Sequence, residues 1–129
     1  MINIRLVRPD EIDEAKKFIR SIFPQAMVHV SDYDTILLAE SKDRIVGFAH
    51  IVDDGERIIF QGLGVDKSMR GAGVGTMLVE HGLEMYDDCD RPIFLKVKVM
   101  NPAIDLYQRH GFFIQKFGTT HVLVKKPNN

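Results

Sequence analysis

The residues best suited to chemistry lie between Gly62 and Met77, in the run Gly62-Leu63-Gly64-Val65-Asp66-Lys67-Ser68-Met69-Arg70-Gly71-Ala72-Gly73-Val74-Gly75-Thr76-Met77. An apolar segment ends near Val65, an arginine follows at 70, and glycines recur at 71, 73 and 75 before an amphipathic stretch begins. A helix start carries unpaired N–H groups and roughly half a positive charge. Glycine has no Cβ to block a close approach to those groups. A strand, a glycine-rich turn and a helix start in that order make a site for a phosphate or a pyrophosphate. Two common glycine loops do not fit. A Walker-type loop places Lys-Ser/Thr directly after its last glycine, and this run does not. A dinucleotide fingerprint opens almost at the strand end as Gly-x-Gly-x-x-Gly. Here Gly71 lies six residues beyond Val65 and the order is Gly-x-Gly-x-Gly.

A third pattern, Arg/Gln-x-x-Gly-x-Gly/Ala after a strand, is matched by Arg70-Gly71-Ala72-Gly73-Val74-Gly75. On these residues the chain resembles the GNAT acyltransferase superfamily, whose central motif this is. A second stretch, Asn101-Pro102-Ala103-Ile104-Asp105-Leu106-Tyr107-Gln108-Arg109-His110-Gly111-Phe112, is similar to that family's second signature, Asn…Ala…Leu-Tyr…Gly-Phe, in the right order. The resemblance implies that the glycine loop wraps the pyrophosphate of acetyl-CoA. It implies cofactor contacts at Leu63, Gly64 and Val65 on the strand, at Arg70, Gly71, Ala72, Gly73, Val74, Gly75 and Thr76 in the loop, and at Asn101 and Tyr107. The fold it implies is an α+β, mostly antiparallel mixed sheet flanked by helices. In that fold the two central parallel strands splay apart, and pantetheine slots between them.

The implied reaction moves an acetyl group from a thioester directly to a primary amine, and it has three needs. The carbonyl oxygen needs a donor for its growing negative charge. The resemblance assigns this to the backbone N–H of Val65. The departing thiolate benefits from a proton, and the resemblance assigns that to the phenol of Tyr107. Asn101 either contacts the pantetheine arm or only caps a helix. The amine must also reach the site neutral, and here the family pattern breaks. Many relatives carry a glutamate on the strand before the glycine loop, but between Ile58 and Val65 there is no acid, and Gln61 cannot accept a proton. Glu40, Glu56, Asp32, His29, His50, His121 and a water relay all remain open as the base. No cluster has metal-ligand spacing, so no metal is expected.

The elements that must position these groups read in order. Residues 2–8 alternate as a strand, and residues 10–22 recur at helical spacing, with Asp10 as N-cap. Residues 24–34 are irregular and either cover the acceptor site or merely connect. Strands follow at 35–40, 45–52 and 57–65, joined by tight turns. Val46, Phe48, His50 and Val52 share one strand face, so His50 either points into the cleft or sits satisfied in the core. The helix after the glycines sets Val74, Leu78, Gly82 and Met85 away from a polar line. A strand at 93–99 carries Lys96 and Lys98 on a solvated face. Asn101 caps the next helix, Pro102 opens it, and Gly111 stops it. Residues 112–117 and 121–124 close the chain as a strand pair, and residues 125–129 form a frayed tail. Tight turns make three strands antiparallel, and a helical crossover makes strands 58–65 and 93–99 parallel.

A chain of 129 residues suits one domain, taken as residues 1–129. A net charge of −1 argues against a nucleic-acid footprint. No apolar run approaches the ~18 residues of a membrane span. The N-terminus lacks a signal-peptide pattern, and the one cysteine, Cys89, excludes an internal disulfide. The protein therefore reads as cytoplasmic, a monomer or homodimer, with neither nucleic acid nor membrane as partner. Its partner is a small-molecule or protein amine. Two other readings stand beside the enzyme: a CoA-binding sensor or interaction module without turnover, motivated by the missing strand acid, and a module that takes ATP or NAD on the glycines.

Overall fold

The computed structural model describes residues 1–25, 27–31 and 34–127. Seven strands form one sheet: β1 (Asn3–Leu6), β2 (Thr35–Ser41), β3 (Arg44–Asp53), β4 (Ile58–Val65), β5 (Ile93–Lys98), β6 (Phe113–Lys116) and β7 (Thr120–Lys125). Their spatial order is β1-β2-β3-β4-β5-β7-β6, and every neighbouring pair is antiparallel except β4 with β5. Three helices pack on it: α1 (Ile12–Ile22), α2 (Val74–Met85) and α3 (Ala103–Arg109).

The helices divide between the two faces. Val74, Leu78 and Val79 of α2 and Tyr107 of α3 pack with Ala49, Ile51, Leu95 and Leu123 in the larger core. Ala15 and Ile19 of α1 pack with Ile36, Leu38 and Phe48 in a second core on the opposite face. The fold is the mixed sheet with helices on both faces that the sequence implied.

Local differences have local causes. The chain enters α1 through a 3₁₀ turn, Pro9–Glu11, and Asp10 is not the cap. Glu11 does the work instead. Its carboxylate accepts from the Arg8 N–H at 2.7 Å and from Arg5 Nη2 at 3.1 Å. Lys42 and Asp43 join β2 to β3 with φ of 52° and 63°, the primed geometry that matches strand twist. Three residues past Asp43 a bulge displaces Val46: Ala39 pairs with Gly47 but Glu40 with Ile45. Val46 therefore belongs to the α2-side core, not to the face of Phe48. Met85 ends α2 in solvent at 47% exposure, so α2 buries less of its girth than expected. Helix α3 begins one residue past Pro102. The Oδ1 of Asn101 accepts from the Ala103 N–H at 2.9 Å, and Gly111 (φ 95°) stops the helix.

Candidate active site

β4 builds the centre of the site because it pairs with β5 for only three residues, Ile58 to Phe60 against Ile93 to Leu95. A bulge starts the separation. His50 pairs with Gly62 and Ile51 with Phe60, so Gln61 has no partner on β3. Beyond it β4 and β5 part. Backbone direction then follows from one bond. The Asp66 N–H donates to Val46 O at 2.8 Å, so it faces β3. Successive strand residues turn their N–H and C=O to opposite edges. Val65 and Leu63 therefore turn theirs toward the gap that β5 has left. Arg70 Nε reaches back to the Val65 carbonyl at 3.1 Å and ties the loop to the strand end.

The glycine loop sits at the outer end of that gap. Gly71 and Gly73 have φ of 82° and 83°, which L side chains rarely adopt, and open space surrounds the place of each missing Cβ. No side chain caps α2. Among the described residues, the amides of Gly71, Gly73, Val74, Gly75 and Thr76 have no hydrogen-bond partner in the protein. The Ala72 N–H is held by Met69 O at 3.4 Å. This is a helix start with open donors and its positive end toward solvent. Gly64 stands apart. Its missing Cβ is where Phe48, Ile22 and Phe23 close in, so packing alone accounts for the glycine.

A cleft of about 920 Å³ runs between the parted strands and under α1. Gln61, Gly62 and Leu63 line it from β4, His50 and Val52 from β3, and Ile22 and Phe23 from the end of α1. Val97 and Lys98, with Asn101 and Tyr107, close the β5 side. Tyr107 is buried, edge-on to Phe112 with ring centres 5.8 Å apart. Burial pushes its phenol up to about 12, so it stays protonated at neutral pH. Lys96 and Lys98 are exposed, as a solvated face requires, yet both also line the cleft.

The candidate bases separate by position. Glu40 is held by Arg5 at 3.0 Å, away from the cleft. Glu56 is exposed in the β3–β4 turn. His121 is buried and accepts from the Gly118 N–H at 3.2 Å, also away from the cleft. Asp32 lies outside the described residues. His29 and His50 both line the cleft, and only His50 is buried. Its Nε2 lies 2.7 Å from Asp34 Oδ2. Asp34 escaped the sequence reading, because the bulge at Val46 shifts the register by one residue. Ile36 lies opposite His50, so Asp34, two residues earlier on the same face, stands diagonal to the imidazole.

A mixed sheet whose central parallel strands part beside an open helix start is the architecture of the GNAT acetyltransferases. An acetyltransferase (GNAT) domain profile matches residues 32–113, and the chain belongs to that family. Solved structures of the same fold cover nearly the whole chain. The GNAT-family acetyltransferase of Streptococcus pneumoniae is 23% identical, with 99% of this chain and 100% of that one covered at a TM-score of 0.81. The ribosomal-protein-S18-alanine N-acetyltransferase of Escherichia coli is 16% identical, with coverage of 98% and 94% and a TM-score of 0.81. Arabidopsis thaliana NAA60, solved with acetyl-CoA, is 18% identical over 100% of both chains, with a TM-score of 0.79. A search of curated proteins found no match.

Proposed function

We infer that the protein is an N-acetyltransferase that moves the acetyl group of acetyl-CoA directly to a primary amine. The amine belongs to a protein N-terminus, a lysine or a small molecule. The observation that carries this reading is the unpaired edge of β4, which leads from an uncapped helix start to a buried tyrosine. Pantetheine is an extended chain with two amides, so it can pair with a free strand edge as a strand would. Its diphosphate then meets the loop from Arg70 to Thr76, where five amides are open. Its thioester then lies between the Val65 N–H and Tyr107, which lines the cleft. The acetyl-CoA held by the fold relative NAA60 supports the choice of co-substrate.

Two residues divide the chemistry. The Val65 N–H stabilises the oxyanion, and one such donor contributes ~10²–10³ in rate. Tyr107, kept neutral by burial, gives its proton to the leaving CoA thiolate. Leu63, with its backbone on the same edge, holds the pantetheine arm.

The test is incubation with acetyl-CoA and a panel of primary amines, peptides included, with a thiol reagent reading released CoA. Amine-dependent thiol release is expected. Binding of CoA without release for any amine overturns the enzyme reading in favour of a CoA-binding module. A thermal shift given by ATP or NAD but not by CoA overturns both.

A further inference from the structure

We propose that His50, oriented by Asp34, is the general base that takes the proton of the incoming amine. The proposal rests on the acetyltransferase reading above. The pair is buried: the side chains of His50 and Asp34 are 7% and 3% exposed, and Nε2 and Oδ2 are 2.7 Å apart. The Asp34 carboxylate also accepts from the Ser31 N–H at 3.1 Å and from Ser31 Oγ at 2.8 Å. Burial alone would raise its pKa, but the hydrogen bonds from His50 and Ser31 outweigh this, and the net shift is downward. An ionised carboxylate can only accept, so Nε2 must carry the hydrogen. The lone pair is then on Nδ1, which is the arrangement of a base. Among the described residues, the bond to Asp34 is the only hydrogen bond of this imidazole.

The location fits the role. His50 pairs with Gly62, beside Leu63, whose backbone edge faces the gap. It lines the same cleft as Tyr107. β4 offers no acid of its own. Among the described residues, the other titratable groups lining the cleft are Lys96 and Lys98 from β5, Tyr107 from α3 and His29 from the loop. α1 contributes Ile19 and Ile22, Phe23 follows at its end, and β4 contributes the neutral Gln61. Two ammonium groups beside the cleft disfavour a third, which helps the acceptor give up its proton.

An N–H bond of the acceptor ammonium breaks, and its proton forms an N–H bond on Nδ1. The freed lone pair attacks the thioester carbonyl, forming C–N. The C–S bond breaks, and the sulfur takes the Tyr107 proton. Tyr107 is reprotonated by the second proton of the amine nitrogen. The imidazolium, held by Asp34, returns its proton to solvent. Asp34 touches no substrate and is a positioning residue.

The test compares wild type, His50→Gln and Asp34→Asn with the best amine of the panel. At pH 7, His50→Gln is expected to lower kcat/KM by ~10²–10⁴. The rate should recover as pH approaches the amine's own pKa, while CoA affinity stays unchanged. Asp34→Asn is expected to lower kcat/KM with CoA affinity unchanged and, in nitrogen NMR, to mix the two imidazole tautomers, because a neutral amide no longer fixes the hydrogen on Nε2. Nitrogen NMR of the wild type should find the hydrogen of the neutral ring on Nε2 and not on Nδ1, a readout independent of any variant's folding. Hydrogen on Nδ1, or a His50→Gln profile parallel to wild type, overturns the base while leaving the acetyltransferase intact. No turnover of any amine by the wild type overturns both.

Discussion

At the scale of the residue, the sequence set Tyr107 in a motif and hid the His50–Asp34 pair. A motif is legible because its spacing is local. The pair joins residues 16 apart, and the register that brings them together shifts at a bulge on Val46. Counting back from the Lys42–Asp43 turn, where Ser41 faces Arg44, sets His50 opposite Thr35. The bulge moves it to Ile36. One residue decides which face of β2 meets the imidazole, and a bulge leaves no mark in the hydrophobic pattern. For Tyr107 the relevant quantity is its protonation. With the phenol pushed up to about 12, turnover should show no fall between pH 8 and 10 from loss of its proton. Replacing Tyr107 with Phe keeps the ring against Phe112 and removes only the hydroxyl. It should lower kcat by ~10²–10⁴ and leave the CoA dissociation constant unchanged. Steady-state kinetics beside calorimetry would check this, and an unchanged kcat would reduce Tyr107 to a core aromatic.

At the scale of the element, strand and helix existence was legible because period-two and period-3.6 patterns are short-range. Tight turns and one crossover then fixed which strands run parallel. What the pattern could not show was the bulge at Gln61, where β4 starts to leave β5, because a bulge leaves no mark on hydrophobicity. The glycines of β4 were legible as glycines but not in their purpose. A Cβ on Gly64 would lie 2.7 Å from Phe48 Cε1, 2.9 Å from Ile22 Cγ2 and 3.1 Å from Phe23 Cε2. Phe48 is fully buried and edge-on to both Phe18 and Phe23, so it has little room to yield. Gly64→Ala should therefore destabilise by ~1–3 kcal/mol, the usual range for overpacking. Gly75→Ala is the control, since its Cβ would meet nothing closer than 3.9 Å. It should not destabilise. Urea midpoints for the two variants would decide, and equal midpoints would mean that α1 slides aside at no cost.

At the scale of the whole molecule, a sheet that opens in the middle must be held at its margins, and two ion-pair clusters are placed to do so. Arg5 on β1 joins Glu40 on β2 at 3.0 Å and Glu11 ahead of α1 at 3.1 Å. Arg91, just before β5, joins Asp53 at the end of β3 at 2.9 Å, where β4 and β5 are still paired. Arg5 holds the Glu11 carboxyl down to about 2 from its ordinary 4.5, and Arg91 holds Asp53 down to about 2. The sign follows. A carboxyl whose folded pKa is depressed contributes stability above its unfolded pKa and loses it as pH falls through the folded value. The contribution of Glu11 is thus full at pH 7, declines below about pH 4.5 and is gone near pH 2. Glu11→Gln should cost ~1.5–3 kcal/mol at pH 7, as expected for losing hydrogen bonds to a charged group. The gap between variant and wild type should then close as pH falls toward 2. Thermal midpoints at pH 7, 5 and 3 measure that gap directly. A gap of constant size across the series would mean that Glu11 acts through its packing and its bond to the Arg8 amide, not through its charge.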